Sequence, residues 1–227
     1  MITSRDNDKL KLVRKLASRR WREKLGLFVA EGEDLVDAAA AAGVEPVALL
    51  VAGENVAPEL LAEVSALAHP SRTIGIFRTD DLPHGAGEVG LALWHVADPG
   101  NVGTLLRAAD ALGPAFVALS RGSADLTAPK ALRASTGSVF RVPTCGFDDA
   151  PGRRIALVPQ GGEPLHELPL SGPTLFVLGA EREGLPADVL AACDARASIP
   201  QAAGAESLNV AVAGAIALYE RARRVEA

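Results

Sequence analysis

Four apolar runs beyond residue 88 constrain the fold more than any other feature of the chain. They lie at residues 89–96, 115–119, 155–158 and 174–178. Each is almost continuous in apolar residues, which is typical of strands buried on both faces of a parallel sheet. Parallel strands need long connections, and helical or turn-rich segments separate these runs. The pattern therefore predicts an α/β domain built on a parallel sheet.

The first 80 residues show a shorter alternation of helix and strand. Residues 9–20 predict an amphipathic helix whose apolar stripe carries Leu10, Val13, Leu16 and Ala17. Further helices are predicted at 33–42 and 58–67, and strands at 27–29, 47–51 and 73–78. These elements predict a small α/β domain over residues 1–80. Residues 81–88, rich in Gly and acids, are expected to link it to a second domain over 89–227.

The end of the chain combines a polar loop with an apolar helix. Residues 199–208 are small, polar and Gly/Ala-rich, whereas residues 210–218 are apolar on every side. The apolar part predicts a helix that is buried all round, with Ser207 or Glu206 capping its first turn. A helix N-terminus offers free N–H groups, so the junction is a candidate wall of a binding site. An ordinary core helix with a flexible entry loop is the alternative.

Charge is distributed unevenly along the chain. Residues 1–25 hold nine Lys/Arg and three Asp/Glu, a net charge of +6, while the remainder holds 14 and 25, a net charge of −11. This asymmetry indicates either a basic recognition face on an acidic body or a solvated, charge-rich helix.

Cysteines, histidines and hydropathy bear on the class of protein. The two cysteines and four histidines show no metal-ligand spacing, so we expect reduced thiols and no metal. The N-terminus has no apolar signal segment and no run is long enough to span a membrane, so we expect a cytoplasmic protein.

Three loops follow predicted strands, at residues 98–104, 179–185 and 199–208. In open parallel sheets ligands bind outside the carboxyl ends of the strands, so we expect these loops to share one face. No G-x-G-x-x-G follows a strand and no P-loop is present, which disfavours the usual nucleotide folds. The glycines in these loops still indicate a ligand that lies close to the backbone.

The same loops resemble the three ordered motifs of the SpoU (TrmH-like) RNA 2′-O-ribose methyltransferases of the SPOUT superfamily. The motifs are Asp98-Pro-Gly-Asn-Val-Gly-x-x-x-Arg107, Val177-Leu-Gly-Ala-Glu-Arg-Glu-Gly-Leu185, and Ile199-Pro followed by Glu-Ser-Leu-Asn-Val210. Residues 130–143 are similar to the family's segment between the first two motifs, and residues 5–45 to its substrate-binding extension. One departure is Ala180, where many members have Asn.

The resemblance implies a knotted SPOUT-type domain, in which a parallel sheet ends in a C-terminal trefoil knot, preceded by an L30e-like α/β domain. It implies S-adenosylmethionine as cofactor, bound in a bent pose in the knot, and no metal. It also implies a homodimer in which one subunit's first motif lies near the other subunit's cofactor. The residues that map onto cofactor contacts, largely through backbone groups, are Gly179, Ile199, Leu208, Leu178 and Pro200.

The resemblance also suggests roles for polar residues. Arg107 matches the family's essential arginine; because a guanidinium keeps its proton in proteins, we expect it to clamp a phosphate and stabilise a developing alkoxide. Asn101 is expected to cap the helix that carries Arg107 and to touch the ribose, with capping alone as the alternative. Glu181, Ser207 and Asn209 are candidates for holding the site, with a purely structural role as the alternative for Glu181.

Candidate RNA contacts come from the basic segment and from the region between the first two motifs. Trp21 could stack on a base, although packing against its own domain is the favoured interpretation. Simple surface exposure is the alternative for the two arginines of the later region. The candidates are Lys11, Lys15, Arg19, Arg22, Arg133 and Arg141.

These features together predict an S-adenosylmethionine-dependent enzyme that methylates a ribose 2′-hydroxyl in structured RNA, with 23S ribosomal RNA favoured. A tRNA 2′-O-methyltransferase is one alternative. A catalytically inactive ribosome- or RNA-binding protein is another, and the intact set of polar motif residues argues against it.

Overall fold

The computed structural model describes residues 1–225, with the backbone alone for Val225. The helices are α1 (Asp8–Leu16), α2 (Arg19–Leu25), α3 (Glu33–Ala41), α4 (Pro58–Val64), α5 (Pro99–Ala111), α6 (Pro129–Ser135), α7 (Ala187–Ala191) and α8 (Val210–Val225). The strands are β1 (Leu27–Glu31), β2 (Ala48–Val51), β3 (Thr73–Arg78), β4 (Val89–Leu93), β5 (Phe116–Leu119), β6 (Thr144–Gly146), β7 (Arg153–Leu157), β8 (Glu163–Pro164), β9 (Thr174–Leu178) and β10 (Ala195–Ser198).

The chain divides into two compact units. The first comprises Met1–Pro83 and Asp125–Arg141, and the second comprises His84–Ala124 and the residues from Val142 onward.

The first unit is built on a three-stranded antiparallel sheet in the order β1-β3-β2. Leu10, Val13 and Leu16 of α1 are buried against this sheet, as their spacing predicts. The predicted single helix over 9–20 is instead two helices, because the backbone turns to an extended conformation at Ser18. Ala17 lies at this break and is exposed, so its assignment to the apolar stripe is wrong.

The segment Asp125–Arg141 lies in the first unit, although the sequence prediction counted it with the second domain. Aromatic packing explains its position. The ring of Phe140 lies 6.1 Å from that of Phe28 and 5.4 Å from that of Phe77 between centroids. All three rings are buried, and their contacts pack the segment against β1 and β3.

The second unit contains a seven-stranded parallel sheet in the order β6-β5-β4-β9-β7-β10-β8. The four predicted apolar runs are β4, β5, β7 and β9, which form four adjacent strands of this sheet. Prediction missed β6, β8 and β10. These strands are two to four residues long, and their polar and glycine residues give no apolar run to detect.

Helix α8 packs against α5 and β9, so one side of it is buried within the second unit. Ala217 on that side is fully buried. The other side reaches the surface, where Val212 and Tyr219 are 47% and 56% exposed. The expectation that this helix is buried all round is therefore wrong for the single chain.

Three further findings bear on the class of protein. No helix within residues 1–225 is long and apolar enough to cross a membrane. The same part of the chain contains no group of three potential metal-binding side chains. Cys145 and Cys193 are both free and half-buried, and burial is the main cause that raises the pKa of each thiol.

Candidate active site

Three segments meet beyond the carboxyl ends of β4, β9 and β10, as the parallel arrangement predicts. The first of them, predicted as a loop over 98–104, is mostly the start of α5. Asp98 caps this helix, because its carboxylate accepts hydrogen bonds from the backbone N–H groups of Gly100 and Asn101. The prediction that Asn101 is the cap is wrong, and its side-chain amide is left available for other partners.

The side-chain amide of Asn101 joins the three segments. Its Nδ2 donates to Glu181 Oε1 over 3.0 Å, and its Oδ1 accepts from Asn209 Nδ2 over 3.1 Å. Glu181 follows β9, and Asn209 immediately precedes α8. We call Glu181, Asn101 and Asn209 the amide relay, since every bond in it runs from an amide donor toward the carboxylate.

Asn209 also sets the start of α8. Its Oδ1 accepts from the backbone N–H groups of Ala211 at 2.9 Å and Val212 at 3.3 Å. Asn209 is therefore the capping residue, and the predicted caps Ser207 and Glu206 are wrong. Because its oxygen is engaged by the helix, its nitrogen must face Asn101. The helix start thus orients the amide relay.

The Glu181 carboxylate accepts several hydrogen bonds from the first segment. Besides Asn101, the backbone N–H groups of Ala97 and Asp98 donate to it over 3.4 and 3.3 Å. Burial alone would raise the pKa of Glu181, but the hydrogen bonds from Asn101 and from backbone N–H groups outweigh it and lower the pKa below 4.5. The carboxylate therefore stays ionised and is a poor proton acceptor.

A cleft of about 690 Å³ opens beside the amide relay. Of the predicted cofactor contacts, Leu178, Gly179, Ile199 and Leu208 line this cleft. The fifth, Pro200, lines a smaller neighbouring cleft of about 310 Å³ instead. The predicted site residues that line the main cleft are Glu181, Ser207 and Asn209.

Sequence reasoning missed part of the cleft wall. Leu157 and Val158 line it from the end of β7, and Leu190, Arg196 and Ala213 line it from other elements. The position of β7 could have indicated Leu157 and Val158, because the carboxyl end of β7 lies at the same edge of the sheet as those of β9 and β10.

Gly179 has a steric reason to be glycine. A Cβ atom built there would lie 2.3 Å from the carbonyl carbon and 2.5 Å from the carbonyl oxygen of Gly184. The two ends of this loop are tied together by paired backbone hydrogen bonds between Ala180 and Gly184, at 3.1 and 2.9 Å. The loop therefore folds back on its own strand, and its backbone rather than a side chain borders the cleft.

Arg107 stands apart from the cleft of its own chain. It is exposed on α5 and is not among the residues that line the cleft. Arg107 lies six positions after Asn101. At about 100° per residue, the two side chains are about 120° apart around the helix axis, so they leave α5 on different faces.

Comparison with known proteins identifies the chain. Residues 88–219 match the model of the SpoU rRNA Methylase family, and residues 7–77 match that of the MRM3-like substrate binding domain. The chain belongs to the SpoU rRNA methylase family. It is 33% identical to an uncharacterised tRNA/rRNA methyltransferase of Synechocystis, covering 98% of this chain and 93% of the relative.

Two further proteins are similar over almost their whole length. The 23S rRNA (guanosine(2553)-2′-O)-methyltransferase RlmP of Bacillus subtilis is 32% identical over 96% of this chain and 97% of its own. The AdoMet-bound rRNA methyltransferase of Sinorhizobium meliloti superposes with a TM-score of 0.86 and 30% identity, covering 99% and 97% of the two chains.

Membership of the SpoU family makes this protein an RNA methyltransferase with S-adenosylmethionine as its cofactor. The cleft fits that molecule. Its volume is in the usual range of small-molecule sites, and it combines apolar walls at Leu157 and Ile199 with polar groups at the amide relay. The backbone at Gly179 and Gly184 also borders the cleft, because neither residue carries a side chain.

One predicted RNA contact is a buried structural residue. Arg22 is only 5% exposed, and it pairs with Asp125 at 2.7 Å while donating to the backbone carbonyls of Leu16 and Ala17. Burial raises the pKa of Asp125, but hydrogen bonds from Thr127 and Arg22 outweigh it and leave the pKa lowered. The prediction that Arg22 contacts RNA is therefore corrected: it connects the break between α1 and α2 to the segment that contains Phe140.

The other basic candidates lie at the surface of the first unit. Lys11 pairs with Asp6 at 3.4 Å, and Arg19 pairs with Glu23 at 2.7 Å. The ammonium groups of Lys15 and Lys24 lie 5.4 and 4.9 Å from the ring centroid of Trp21. This half-buried tryptophan packs under its own domain's lysines, as the favoured interpretation has it. Arg133 and Arg141 are exposed as well.

Proposed function

We propose that this SpoU enzyme methylates a ribose 2′-hydroxyl of structured 23S rRNA. The amide relay is the observation that carries the proposal, since it joins all three motif segments at the edge of a cofactor-sized cleft. The similarity to a 23S rRNA 2′-O-methyltransferase over nearly both whole chains supports ribosomal RNA. A degenerate binding protein would have no need for a relay that joins a carboxylate and two amides from the three motif segments.

Transfer to a hydroxyl requires a positioned ribose, removal of a proton and a field that favours the developing negative charge. S-adenosylmethionine supplies an electrophilic methyl group on a positively charged sulfur. Glu181 does not serve as the base in this proposal, because three donors hold its carboxylate and lower its pKa. The relay instead holds Asn209, which lines the cleft, through its bond to Asn101, and the proposed role of the two amides is to position the ribose.

Arg107 provides the charge in this proposal. A guanidinium stays protonated in water and forms two parallel hydrogen bonds to a phosphate, so it suits a clamp that also stabilises the alkoxide. Its place outside its own cleft supports a role at the cleft of a second subunit.

A homodimer is the assembly that fits this role. Val212, Ile216 and Tyr219 are three and four residues apart, so they form one stripe along α8. Two of them are large, exposed apolar residues, and a second copy of the same stripe would bury them by two-fold symmetry.

The fold assigned to each unit is also part of the proposal. We propose a trefoil knot at the end of the second unit, which is supported by insertion of β9 between β4 and β7 and by the return of the chain after β10 to Asn101. For the first unit we propose an L30e-like, RNA-binding fold. Its exposed cations Lys11, Lys15, Arg19, Arg133 and Arg141 are the proposed phosphate contacts.

Methyl transfer to defined RNAs tests the proposal. Purified protein and isotope-labelled S-adenosylmethionine would be incubated with 23S rRNA, 16S rRNA and tRNA that lack modifications, and the methylated ribose mapped by reverse transcription. We expect label in 23S rRNA at one 2′-oxygen. Label in tRNA alone would favour the tRNA alternative, and cofactor binding without transfer to any RNA would favour an inactive binding protein.

The Arg107→Ala variant tests the clamp role of Arg107 in the same assay. We expect loss of turnover with nearly unchanged cofactor binding by calorimetry, because the residue does not line the cleft. Arg223→Ala, at another exposed arginine on a helix of the same unit, is the matched control. A variant at Arg107 that kept more than roughly a tenth of the wild-type rate would contradict the assigned clamp role, since general electrostatic groups contribute at least that much.

A further inference from the structure

His95 has a strained backbone beside the amide relay. It follows β4 and has a φ of 51°, a conformation that suits glycine and is unfavourable for a residue with a side chain. Two and three residues later, the N–H groups of Ala97 and Asp98 donate to Glu181, so the turn at His95 leads directly into the site. The backbone alone would favour glycine here, so the imidazole is retained against this preference.

Packing holds the His95 ring in one orientation. The ring stacks on Trp94, with centroids 4.6 Å apart and planes 3° apart. A Cβ atom built on Gly122, in the loop after β5, would lie 2.4 to 2.7 Å from three atoms of the His95 ring, so the ring occupies the space of a side chain there. The backbone N–H of His95 also donates to Ser120 Oγ over 2.9 Å. The imidazole is therefore already ordered before any ligand binds.

The edge of this ring is available to a ligand. His95 is exposed, and neither ring nitrogen has a hydrogen-bond partner within residues 1–225. Because Trp94 and Gly122 already pack on the ring, it offers a nitrogen at its edge rather than a surface for stacking. An ordered imidazole with no partner in the fold is suited to a hydrogen bond with a ligand.

Arg121 adds a positive charge to the same place. It is exposed, precedes Gly122 directly, and has no ion-pair partner in the part of the chain that the structure describes. Strands β4 and β5 are parallel neighbours, so the loops that carry His95 and Arg121 leave the sheet at the edge where the site lies. A guanidinium beside a hydrogen-bonding imidazole matches a phosphodiester, since both side chains can donate to phosphate oxygens.

We infer that His95 and Arg121 bind the RNA backbone at a nucleotide next to the one that is methylated. Neither residue lines the cofactor-sized cleft, so this subsite serves the RNA and not S-adenosylmethionine. The inference rests on the proposed function in needing an RNA substrate, but it holds for ribosomal RNA and tRNA alike.

His95→Gly removes the imidazole and accepts the positive φ without strain, so we expect the variant to fold. Filter binding would use the RNA that wild-type protein methylates. We expect about threefold to tenfold weaker binding, the effect of one lost hydrogen bond. Calorimetry should show unchanged affinity for S-adenosylhomocysteine, and the single-turnover rate at saturating RNA should stay within about twofold, because the contact is away from the reacting atoms. His166→Ala, at another exposed histidine of the same unit, is the matched control and should bind RNA as wild type does.

Arg121→Ala tests the charge through a salt series. Loss of one phosphate contact should lower the slope of log affinity against log salt concentration by about 0.7–0.9. Arg223→Ala, whose arginine pairs with Glu220, is the control and should leave the slope unchanged.

Tryptophan fluorescence places the contact. Trp21→Phe leaves Trp94 as the only tryptophan, and saturating RNA should change its emission because the RNA contacts its stacking partner. Unchanged RNA affinity in His95→Gly, an unchanged slope in Arg121→Ala, or unchanged Trp94 emission would each overturn the inference.

Two results would overturn it by giving His95 another role. A slower single-turnover rate with unchanged RNA affinity would place the ring at the reacting hydroxyl, and dissociation of a dimer by light scattering would place it at a subunit contact. Wild-type protein that methylated no RNA would overturn the proposed function together with this inference. Methylation of RNA by wild type, with wild-type binding in both variants, would overturn the inference alone.

Discussion

Asn101→Asp is a one-atom perturbation of the amide relay. It replaces the donating nitrogen of Asn101, which lies 3.0 Å from Glu181 Oε1, with a carboxylate oxygen. The oxygen that accepts from Asn209 is retained, and so is the cap at Asp98. The substitution therefore removes one hydrogen bond and introduces one charge repulsion, with little change in shape.

The expected cost follows from these two effects. A hydrogen bond to a charged acceptor contributes about 1.5–3 kcal/mol, and two like charges about 4 Å apart repel by roughly 1–4 kcal/mol, depending on the effective dielectric. Glu181 is exposed, so solvent screening and side-chain rotation place both effects at the low end. We expect a loss of about 2 kcal/mol in the free energy of unfolding, or about 4–8 °C in melting temperature for a chain of this size.

If the two carboxylates of the Asn101→Asp variant repel each other, its loss of stability should depend on pH. In wild-type protein the pKa of Glu181 is lowered, so its contribution is fully present above 4.5 and is lost only as pH falls below that value. In the variant, two neighbouring carboxylates raise the pKa of one member of the pair. A raised pKa favours the folded state at low pH, so the stability deficit should shrink as pH falls from 7.5 to 5.

Urea denaturation of both proteins at pH 7.5 and pH 5 measures this deficit. Adding Glu181→Gln to Asn101→Asp removes one charge and restores a donor to the pair, so we expect it to recover about half of the lost stability or more. Cofactor affinity should follow the same order, because Glu181 lines the cleft. A deficit that is absent, or equal at the two pH values and not rescued, would refute the proposed electrostatic role of the amide relay.

Other positions give predictions of their own. Gly179→Ala places a methyl group 2.3 Å from backbone, so we expect a loss of about 1–3 kcal/mol by urea denaturation and at least tenfold weaker cofactor binding by calorimetry. Arg22→Met leaves the Asp125 carboxylate, which is 15% exposed, without its cation, and should cost about 3–5 kcal/mol by the same denaturation assay; a loss under about 1 kcal/mol would contradict the importance of this pair. Val212→Glu should convert a dimer into monomers of 23.4 kDa by light scattering, whereas Val47→Glu, at an equally exposed valine, should not. Active wild-type protein at 23.4 kDa would contradict the dimer.

The parallel sheet could be predicted because burial on both faces leaves a signal in each strand. The runs at β4, β5, β7 and β9 are almost continuous in apolar residues, and β9 was predicted to the residue. The short strands carry no such signal: β8, at one edge of the sheet, has two residues, and its neighbour β10 contains the exposed Arg196. Their places depend on neighbours that only the folded sheet provides.

The hydrogen-bond partners of individual polar side chains could not be predicted from the sequence, for a different reason. Both Asp98 and Asn101 are acceptable helix caps by type, and so are Ser207 and Asn209, so local preference could not choose between them. Long-range bonds decide, because Glu181 and Asn209 engage Asn101 from about 80 and 108 residues away. Arg22 was misassigned similarly, since nothing near it in the sequence indicates Asp125 as its partner.

The direction of the amide relay connects folding of the chain's end to completion of the site. An amide has one acceptor and one donor group, and Asn209 can direct its donor to Asn101 only while its oxygen caps α8. That bond in turn engages the oxygen of Asn101 and leaves its nitrogen for Glu181. If α8 were undocked from α5, both amides could rotate, and the carboxylate would lose its only side-chain donor among the described residues. Docking of the last helix is therefore a condition for an ordered site, which explains why the three motif segments are far apart in sequence and still act as one unit.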